Sequence, residues 1–459
     1  MAKAKASYVC SECGEDHPKW QGQCKSCKSW DTLMVFHIGD TKNDQRSSRL
    51  KGYAGVTSAT RVKLKEVDVS EEPRIRTGID EFDRVLGGGL VEGSAVIISG
   101  NPGAGKSTLL LQALDKLVKN VTVLYASGEE SLQQIAMRSS RLKLPNAGEI
   151  EMLTETNVNN ILDQAKECCC KVLVIDSIQA VYTPDCDSMP GSVTQVRESA
   201  GMLTQFAKQT GCAVMIVGHV NKDSSIAGPK TLEHMVDAVL SLEGTSDSRY
   251  RMLRSTKNRF GAVSELGCFA MVEDGLREVK NPSAIFLSRP EIPVSGSVVA
   301  VLWEGTRPLL VEIQVLTDDG GGGNSRRLTV GMDANRTSML LAILSRHVGV
   351  VTAGTDVYIN VVGGLKVTET STDLATICAF MSSFRDRPLP QDLIVIGELG
   401  LSGELRPVPH GPERLKEAAK HGFKTAIVPK SNATKDIPGM KVYGVNTVQE
   451  AVDKLEELG

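Results

Sequence analysis

The sequence predicts an α/β fold: a mostly parallel sheet covered by helices, with a small metal ribbon ahead of it and an α+β unit behind it. Three observations carry that prediction. From about Pro73 to Glu278, strand-like apolar runs alternate with helical segments, the pattern of a mostly parallel sheet. One of these runs, Ala95–Ser99, passes through the glycine-rich loop Gly100-Asn-Pro-Gly-Ala-Gly-Lys106-Ser107 into the helical stretch Thr108–Ala113. Ahead of both, Cys10, Cys13, Cys24 and Cys27 form two C-x-x-C pairs separated by ten residues.

Composition sets the limits. A chain of 459 residues has room for about three domains, and its 41% hydrophobic content suffices for several cores. The net charge of −3 argues against a globally basic DNA-coating protein but leaves room for local basic loops. No apolar run reaches the roughly 18 residues of a membrane span, and the N-terminus has no apolar core of a signal peptide. The expected compartment is therefore the cytosol, with no membrane partner. The cysteines beyond the first four are scattered, with Cys168-Cys169-Cys170 in a row, which suits reduced thiols rather than a disulfide framework.

The ribbon, residues 1–30, is read as a closed tetrahedral Zn²⁺ site of four thiolates, Cys10, Cys13, Cys24 and Cys27. One metal accounts for the paired spacing better than redox chemistry does. His17 lies close in sequence, but four thiolates already complete the shell. Trp20 and Trp30 are expected to pack around the metal, because so small a ribbon has little core of its own. Lys19, Lys25 and Lys28 are read as a solvated face rather than as a nucleic-acid contact. Residues 31–72 are polar, with Arg46, Arg49, Lys51, Arg61, Lys63 and Lys65, and are read as a flexible tether rather than a basic strap near DNA.

The glycine-rich loop fits G-x-x-x-x-G-K-[ST], the P-loop. Loop amides and the helix N-terminus then hold the phosphates of a nucleotide triphosphate. Gly100, Asn101, Pro102, Gly103, Ala104, Gly105, Lys106, Ser107 and Thr108 form that cradle. Lys106 neutralises the β- and γ-phosphates and Ser107 ligates Mg²⁺. The strand Val121–Tyr125 runs towards Glu129 and Glu130. A carboxylate at a strand's C-terminal end suits a general base for water attack. Glu129 is assigned that role, although a helix N-terminus favours acidic residues anyway. Lys171–Asp176 is an apolar strand ending in a carboxylate that holds Mg²⁺, the Walker B pattern. Ala213–His219 is a third such strand, whose His219 either senses the γ-phosphate or is structural. A long loop with Lys222 and Lys230 follows. After the strand Met252–Thr256 comes Lys257-Asn258-Arg259-Phe260-Gly261, whose cations suit a neighbour's γ-phosphate or a DNA phosphate.

In this order, the P-loop, Ser-Gly-Glu129-Glu130, Val-Ile-Asp176-Ser, Gly-His219-Val and Lys257-Asn-Arg-Phe-Gly261 resemble the RadA (Sms) family of bacterial DNA repair proteins. The four-cysteine ribbon with Trp20-Gln-Gly-Gln-Cys24 fits too, and the resemblance runs from Cys10 to the end of the chain. It implies a RecA-like ATPase core over 73–279, a hexameric ring, and DNA-stimulated ATP hydrolysis that drives branch migration. The implied partners are single-stranded DNA, recombination intermediates and a RecA-type recombinase. Lys106, Ser107, Glu129 and Asp176 carry over as the hydrolytic site, and the loop with Lys222 and Lys230 as a DNA-facing loop. Lys257, Asn258, Arg259, Phe260 and Gly261 carry over as the motif coupling hydrolysis to DNA movement. Arg259 is assigned as a finger on the adjacent subunit's nucleotide, with a DNA contact as the other reading.

Residues 280–459 form a different unit. Ser297–Trp303, Pro308–Gln314 and Asp356–Val362 read as strands, Asp318–Gly323 as a flexible loop and Asp373–Phe384 as a buried helix. Gly397–Glu404 reads as a tight hairpin, and Glu413–His421 as an amphipathic helix stopped by Gly422. This unit resembles the proteolytic domain of Lon, best from Val357 to Pro429. The resemblance sets Ser371 at or beside the nucleophile position and Pro412 at the position of the activating lysine. Proline cannot act as a base, and Lys416 lies about one helical turn on. The expectation is no peptidase activity, Ser371 as a helix N-cap, and a ring-forming scaffold with a DNA-binding face. An ATP-dependent protease and a nucleotide-switched recombinase-loading adaptor are the alternatives to a DNA motor.

Overall fold

The computed structural model describes residues 6–10, 12, 15–17, 19–37, 73–219, 232–244, 249–287, 292–319, 325–433 and 437–458. Cys13, Lys222, Lys230, most of the tether and the glycines of the 318–323 loop lie outside the described residues. The chain divides into two compact units, Met1–Val279 and Lys280–Gly459.

The ribbon is a three-stranded antiparallel sheet in which β1 (Ala6–Cys10) pairs with β2 (Asp16–His17) and β3 (Leu33–His37). Its core is Cys10, Cys24 and Leu33, with Tyr8 against them. The expected packing of the tryptophans around the metal site is not found: Trp20 is 57% exposed and Trp30 71%. Leu33 and Tyr8 already fill the space beside the thiols, so the larger indoles remain outside.

In the ATPase core a short pair, β4 (Arg74–Ile75) and β5 (Leu90–Val91), brackets α1 (Asp80–Leu86). There follow β6 (Ala95–Gly100), α2 (Lys106–Leu117), β7 (Val123–Ser127), α3 (Leu132–Arg141), β8 (Glu151–Thr154), α4 (Val158–Glu167), β9 (Val172–Asp176), α5 (Val193–Thr210) and β10 (Ala213–His219). The antiparallel edge is β11 (Ala238–Glu243), β12 (Tyr250–Asn258), β13 (Leu266–Val272) and β14 (Gly275–Glu278). Among the described residues β6–β14 form a nine-stranded sheet in the order β14-β13-β12-β11-β6-β10-β9-β7-β8. Strands β6, β7 and β9 are buried along their whole length, as expected of a parallel sheet covered on both faces. Alternation along β6 sends Val96 and Ile98 to the core under α1 and α2, and Ala95 and Ile97 to the core under α4 and α5. The glycine-rich loop therefore joins a central strand, β6, to a helix that covers the sheet. The predicted strand Met252–Thr256 extends at both ends, so Lys257 and Asn258 are strand residues rather than part of a following loop.

The second unit contains β15 (Ser297–Glu304), β16 (Arg307–Asp319), β17 (Arg327–Val330), α6 (Ala334–Val348), β18 (Thr355–Val361), α7 (Asp373–Phe384) and β19 (Leu393–Val395). It continues with the hairpin β20 (Glu398–Leu399) and β21 (Leu405–Arg406), then α8 (Gly411–Lys420), β22 (Thr425–Pro429), β23 (Lys441–Val445) and α9 (Val448–Leu458). Among the described residues its main sheet has seven strands, ordered β17-β18-β16-β15-β19-β22-β23. Residues of α6, α7 and α9 form one core, and those of α8 a second. Asp318 and Asp319 belong to β16 rather than to a loop. Pro412 lies in the first turn of α8, where its missing N–H costs nothing, and Gly422 follows the helix with φ +85°.

Candidate active site

Register brings the polar ends of the central strands together. His219 pairs with Gly100, and Asp176 with Ser127, so the P-loop, the end of β9 and the end of β10 share the C-terminal edge of the sheet. That edge is where open α/β sheets bind ligands. Gly105, with φ +104°, turns the chain into α2. A side chain on Gly100 would strike the Leu242 carbonyl oxygen at 2.4 Å.

Lys106 is 5% exposed. Its Nζ donates to the carbonyls of Gly100 at 2.8 Å and Asn101 at 3.2 Å, and lies 3.4 Å from His219 Nδ1. Burial lowers its pKa, and the carboxylates of Asp176 and Glu129 push it back up. Ser107 Oγ donates to Asp176 Oδ2 at 2.8 Å, and the buried Tyr125 hydroxyl donates to the same oxygen. Burial first, then the Asp176 charge, holds the Tyr125 phenol well above its ordinary pKa, so it remains a donor. The hydroxyl of Ser107 and the carboxylate of Asp176 are hard oxygen donors that fit Mg²⁺. The peptide bond Asp176–Ser177 is cis.

The two glutamates after β7 separate. Glu129 Oε2 lies 3.3 Å from His219 Nε2, and Oε1 accepts the Ser177 hydroxyl. Contact with His219, then the Ser177 hydrogen bond, holds the Glu129 carboxyl below its usual pKa against the opposing effect of burial. Glu130 is instead clamped by both terminal nitrogens of Arg138. Sequence reasoning missed Tyr125 and Ser177, whose neighbours are set by cross-strand register, and Arg138, which reaches Glu130 from α3. It also missed Arg251, which is 4% exposed and donates from Nε to the P-loop carbonyl of Ala104 at 3.1 Å.

Lys257–Gly261 lies elsewhere. Asn258 pairs with Ala238, which pairs with Val96 at the start of β6. The motif therefore sits at the opposite edge of the sheet from the P-loop, about 15 Å away by strand rise. Lys257 Nζ donates to the carbonyls of Glu233 and Val236. Asn258 donates to the Val85 carbonyl at 3.2 Å and accepts from Phe260 N. Arg259, with its side chain 56% exposed, makes a 3.2 Å ion pair with the buried Asp237. Gly261 lies so close to Gly87 that a Cβ there would sit 2.9 Å from its Cα.

The full length of the chain finds relatives. It is 57% identical over 461 residues to the DNA repair protein RadA of Salmonella typhimurium, and 57% identical to that of Escherichia coli, covering 100% of both chains in each case. The Bacillus subtilis protein of the same name is 45% identical over 456 residues, covering 98% of this chain and 99% of that one. The chain belongs to the RadA family of DNA repair proteins. Family models match residues 58–225 as an AAA domain, 8–34 as a rubredoxin metal binding domain and 340–432 as subunit ChlI of Mg-chelatase. Among solved structures, the RadB recombinase aligns with a TM-score of 0.36 and 19% identity, covering 45% of this chain and 100% of that one.

In this RadA-family chain the ribbon thiols of Cys10, Cys24 and Cys27 converge within 4.8 Å of one another. The 3.6 Å between Cys10 Sγ and Cys27 Sγ is close to the edge of a tetrahedron with bonds of about 2.3 Å. His17, buried, has Nε2 3.3 Å from Cys24 Sγ. This soft donor set fits a metal such as zinc.

In the second unit Ser371 is not a helix N-cap. Thr372 precedes α7, and neither side chain caps it. Ser371 is buried in a short turn instead, and its Oγ accepts from Arg414 Nη1 at 3.2 Å. Arg414, 1% exposed, pairs twice with Glu369 at 2.9 and 2.8 Å, and also donates to the carbonyls of Pro409 and Val301. Lys416 is exposed. An arginine, not a lysine, thus faces the serine.

Proposed function

We propose that the chain hydrolyses ATP at the interfaces of a hexameric ring, and that the cycle moves it on single-stranded DNA to drive branch migration beside a RecA-type recombinase. The observation that carries this reading is the separation of Lys106 and Glu129 from Arg259 across the sheet. An arginine about 15 Å from its own P-loop cannot complete that site itself, which supports a role on a neighbour's nucleotide.

In this mechanism the amides of Gly100–Thr108 hold the phosphates and Lys106 neutralises the transferred phosphoryl group. Glu129, held by Ser177 and His219, orients the attacking water and takes its proton. Arg259 of an adjacent subunit stabilises the transition-state charge. Mg²⁺, when bound by Ser107 and Asp176, neutralises charge on the phosphate oxygens. His219 begins the loop carrying Lys222 and Lys230, so γ-phosphate loss at His219 is transmitted to the DNA contact. Zinc on Cys10, Cys13, Cys24 and Cys27 holds the ribbon.

The segments read as a ribbon at 1–30, a tether at 31–72, the ATPase at 73–279 and a proteolytically inactive Lon-like scaffold at 280–459. Arg414 supports the last point, because the guanidinium that faces Ser371 cannot take its proton.

The decisive experiment is ATP hydrolysis with and without single-stranded DNA, alongside Lys106→Ala, Arg259→Ala and a mixture of the two. The motor reading requires DNA stimulation in the native protein, loss in each variant and partial recovery in the mixture. DNA-independent turnover would favour the adaptor, and no recovery on mixing would refute the role of Arg259 in trans.

A further inference from the structure

Two of the three tryptophans of this chain stand exposed on a ribbon that has little core. Trp30 is not simply unpacked. A Cβ on Gly22 would meet two carbons of its six-membered ring at 3.5 and 3.7 Å, so part of the indole lies beside Gly22. That backbone is pinned: Gln23 bridges Trp30, Asp31 N donates to Gly22 O at 2.8 Å, and Cys24 N donates to Ser29 O at 2.9 Å. The Gln23 side chain also donates to the Lys28 carbonyl at 2.7 Å. The ring therefore has an ordered neighbour on one side, and 71% of the residue faces solvent.

The charges just before it in the chain are mostly positive. From Pro18 to Trp30 the chain carries Lys19, Lys25 and Lys28 and no Asp or Glu; all three lysines are exposed, and so is Asp31, which follows the ring. A fixed aromatic face beside a run of lysines suits a ligand made of flat rings and phosphates. Single-stranded nucleic acid is such a ligand: bases stack on aromatic side chains regardless of sequence, and the backbone follows positive charge. A protein partner fits less well, because lysine is depleted at protein–protein interfaces.

We propose that this edge of the ribbon is a second single-stranded DNA site, in which bases stack on Trp30 and Trp20 and phosphates meet Lys19, Lys25 and Lys28. The inference rests on the reading of the chain as a single-stranded DNA binder. It adds a contact distinct from the loop after His219. The contact is sequence-tolerant, as a moving motor requires.

The test uses the full chain carrying Trp303→Phe, so that its fluorescence comes from the ribbon, titrated with oligo(dT) over a range of salt. Quenching on binding is expected. Trp30→Ala should weaken affinity about tenfold, with Trp30→Phe recovering most of the loss. Lys25→Ala with Lys28→Ala should flatten the salt dependence by about 1.4 in log–log slope. Metal content, measured for every variant, shows that the ribbon is intact. Should Trp30→Ala lose its metal, Trp30→Phe and the lysine pair decide. Binding of oligo(dT), seen by anisotropy, with no quenching and no effect of these variants would overturn the ribbon site while leaving the motor reading in place. No binding by the native chain would overturn both. Quenching by a RecA-type recombinase but not by DNA would overturn the site in favour of a protein partner.

Discussion

Glu129 and Glu130 are neighbours in the chain with separate partners: Glu129 lies 3.3 Å from His219 Nε2 and accepts from Ser177, while Glu130 is gripped by Arg138. One carboxylate is thereby presented to the phosphate side of the sheet edge, beside Lys106. The other ties the loop to α3, whose start is already fixed by a capping box between Ser131 and Gln134. A pair that looks equivalent in sequence is divided between the P-loop end of the sheet and a clamp on α3.

Glu129→Gln is expected to lower kcat by about 10²–10⁴, the usual contribution of a general base, with ATP still bound. Glu130→Gln should leave the chemical step largely intact and cost about 1 kcal/mol of stability through loss of the Arg138 pair. Steady-state hydrolysis, fluorescent-nucleotide binding and thermal unfolding of both variants check this. Equal losses of kcat would remove the distinction.

The pH dependence follows from the same contacts. His219 is the largest influence holding the Glu129 carboxyl below its usual range, Ser177 adds to it, and burial opposes both. A carboxylate with a depressed folded pKa stabilises the fold above its unfolded pKa, and that stability is lost as pH falls through the folded value. The acid limb due to Glu129 therefore lies below the ordinary glutamate range, and neutral-pH activity is insensitive to it. In His219→Ala burial is left with less opposition, so the limb moves towards neutrality. Profiles of kcat/KM against pH that coincide for the two proteins would contradict the assignment.

Arg251 predicts a binding effect at a residue no motif contains. Its buried guanidinium holds the Ala104 carbonyl at 3.1 Å, which fixes the P-loop's outer turn. Arg251→Gln should leave that carbonyl poorly satisfied, at about 1–2 kcal/mol, and weaken ATP binding about tenfold. A fluorescent-nucleotide titration showing native affinity would reduce Arg251 to a packing residue.

For the ribbon, Cys27→Ser and Cys13→Ser are each expected to release the metal, read by atomic absorption and by reaction with a chromophoric chelator. Three described thiols already converge, and the loss of one leaves the tetrahedral shell open. The buried His17, 3.3 Å from Cys24 Sγ, is the candidate substitute ligand. Full metal retention by Cys13→Ser that disappears on adding His17→Ala would replace the four-thiolate set with three thiolates and a histidine.

What was legible in the sequence follows a physical line. Local signals were read well: the P-loop between an apolar run and a helix, carboxylates ending β-branched runs, and Asp373–Phe384 as a buried helix. Contacts set by register were not. Tyr125 meets Asp176 because β7 lies beside β9, and Arg251 reaches Ala104 across residues distant in the chain. The tryptophans misled for a different reason. Large apolar residues are usually buried, but the space in this ribbon is already taken by Leu33 and Tyr8. Ser371 misled because a serine just ahead of a helix is the common N-cap signal, whereas here its partner is a buried arginine.

That arginine gives the last prediction. Arg414 lies at the centre of the second unit's polar contacts, joining Glu369, Ser371 and two carbonyls. Glu369 in turn accepts from the Trp303 amide at 2.8 Å, and the Trp303 ring stacks on His410 with centroids 4.0 Å apart. Removing one member of a buried pair strands the other's charge, at about 3–5 kcal/mol. Because Glu369 is partly exposed, Arg414→Ala should fall at the lower end, about 3 kcal/mol, seen as an earlier thermal transition. Arg414→Lys separates scaffold from catalyst. It keeps a charge beside Glu369 and offers Ser371 an amine that can be deprotonated. The native chain is expected to leave casein intact, since its guanidinium cannot act as a base. The lysine variant should do the same, because the short ion pair with Glu369 keeps the amine protonated. Casein cleavage by the lysine variant alone would show that Arg414 silences a competent serine. Cleavage by the native chain would show that Ser371 is activated by some other group, and the scaffold reading would fall.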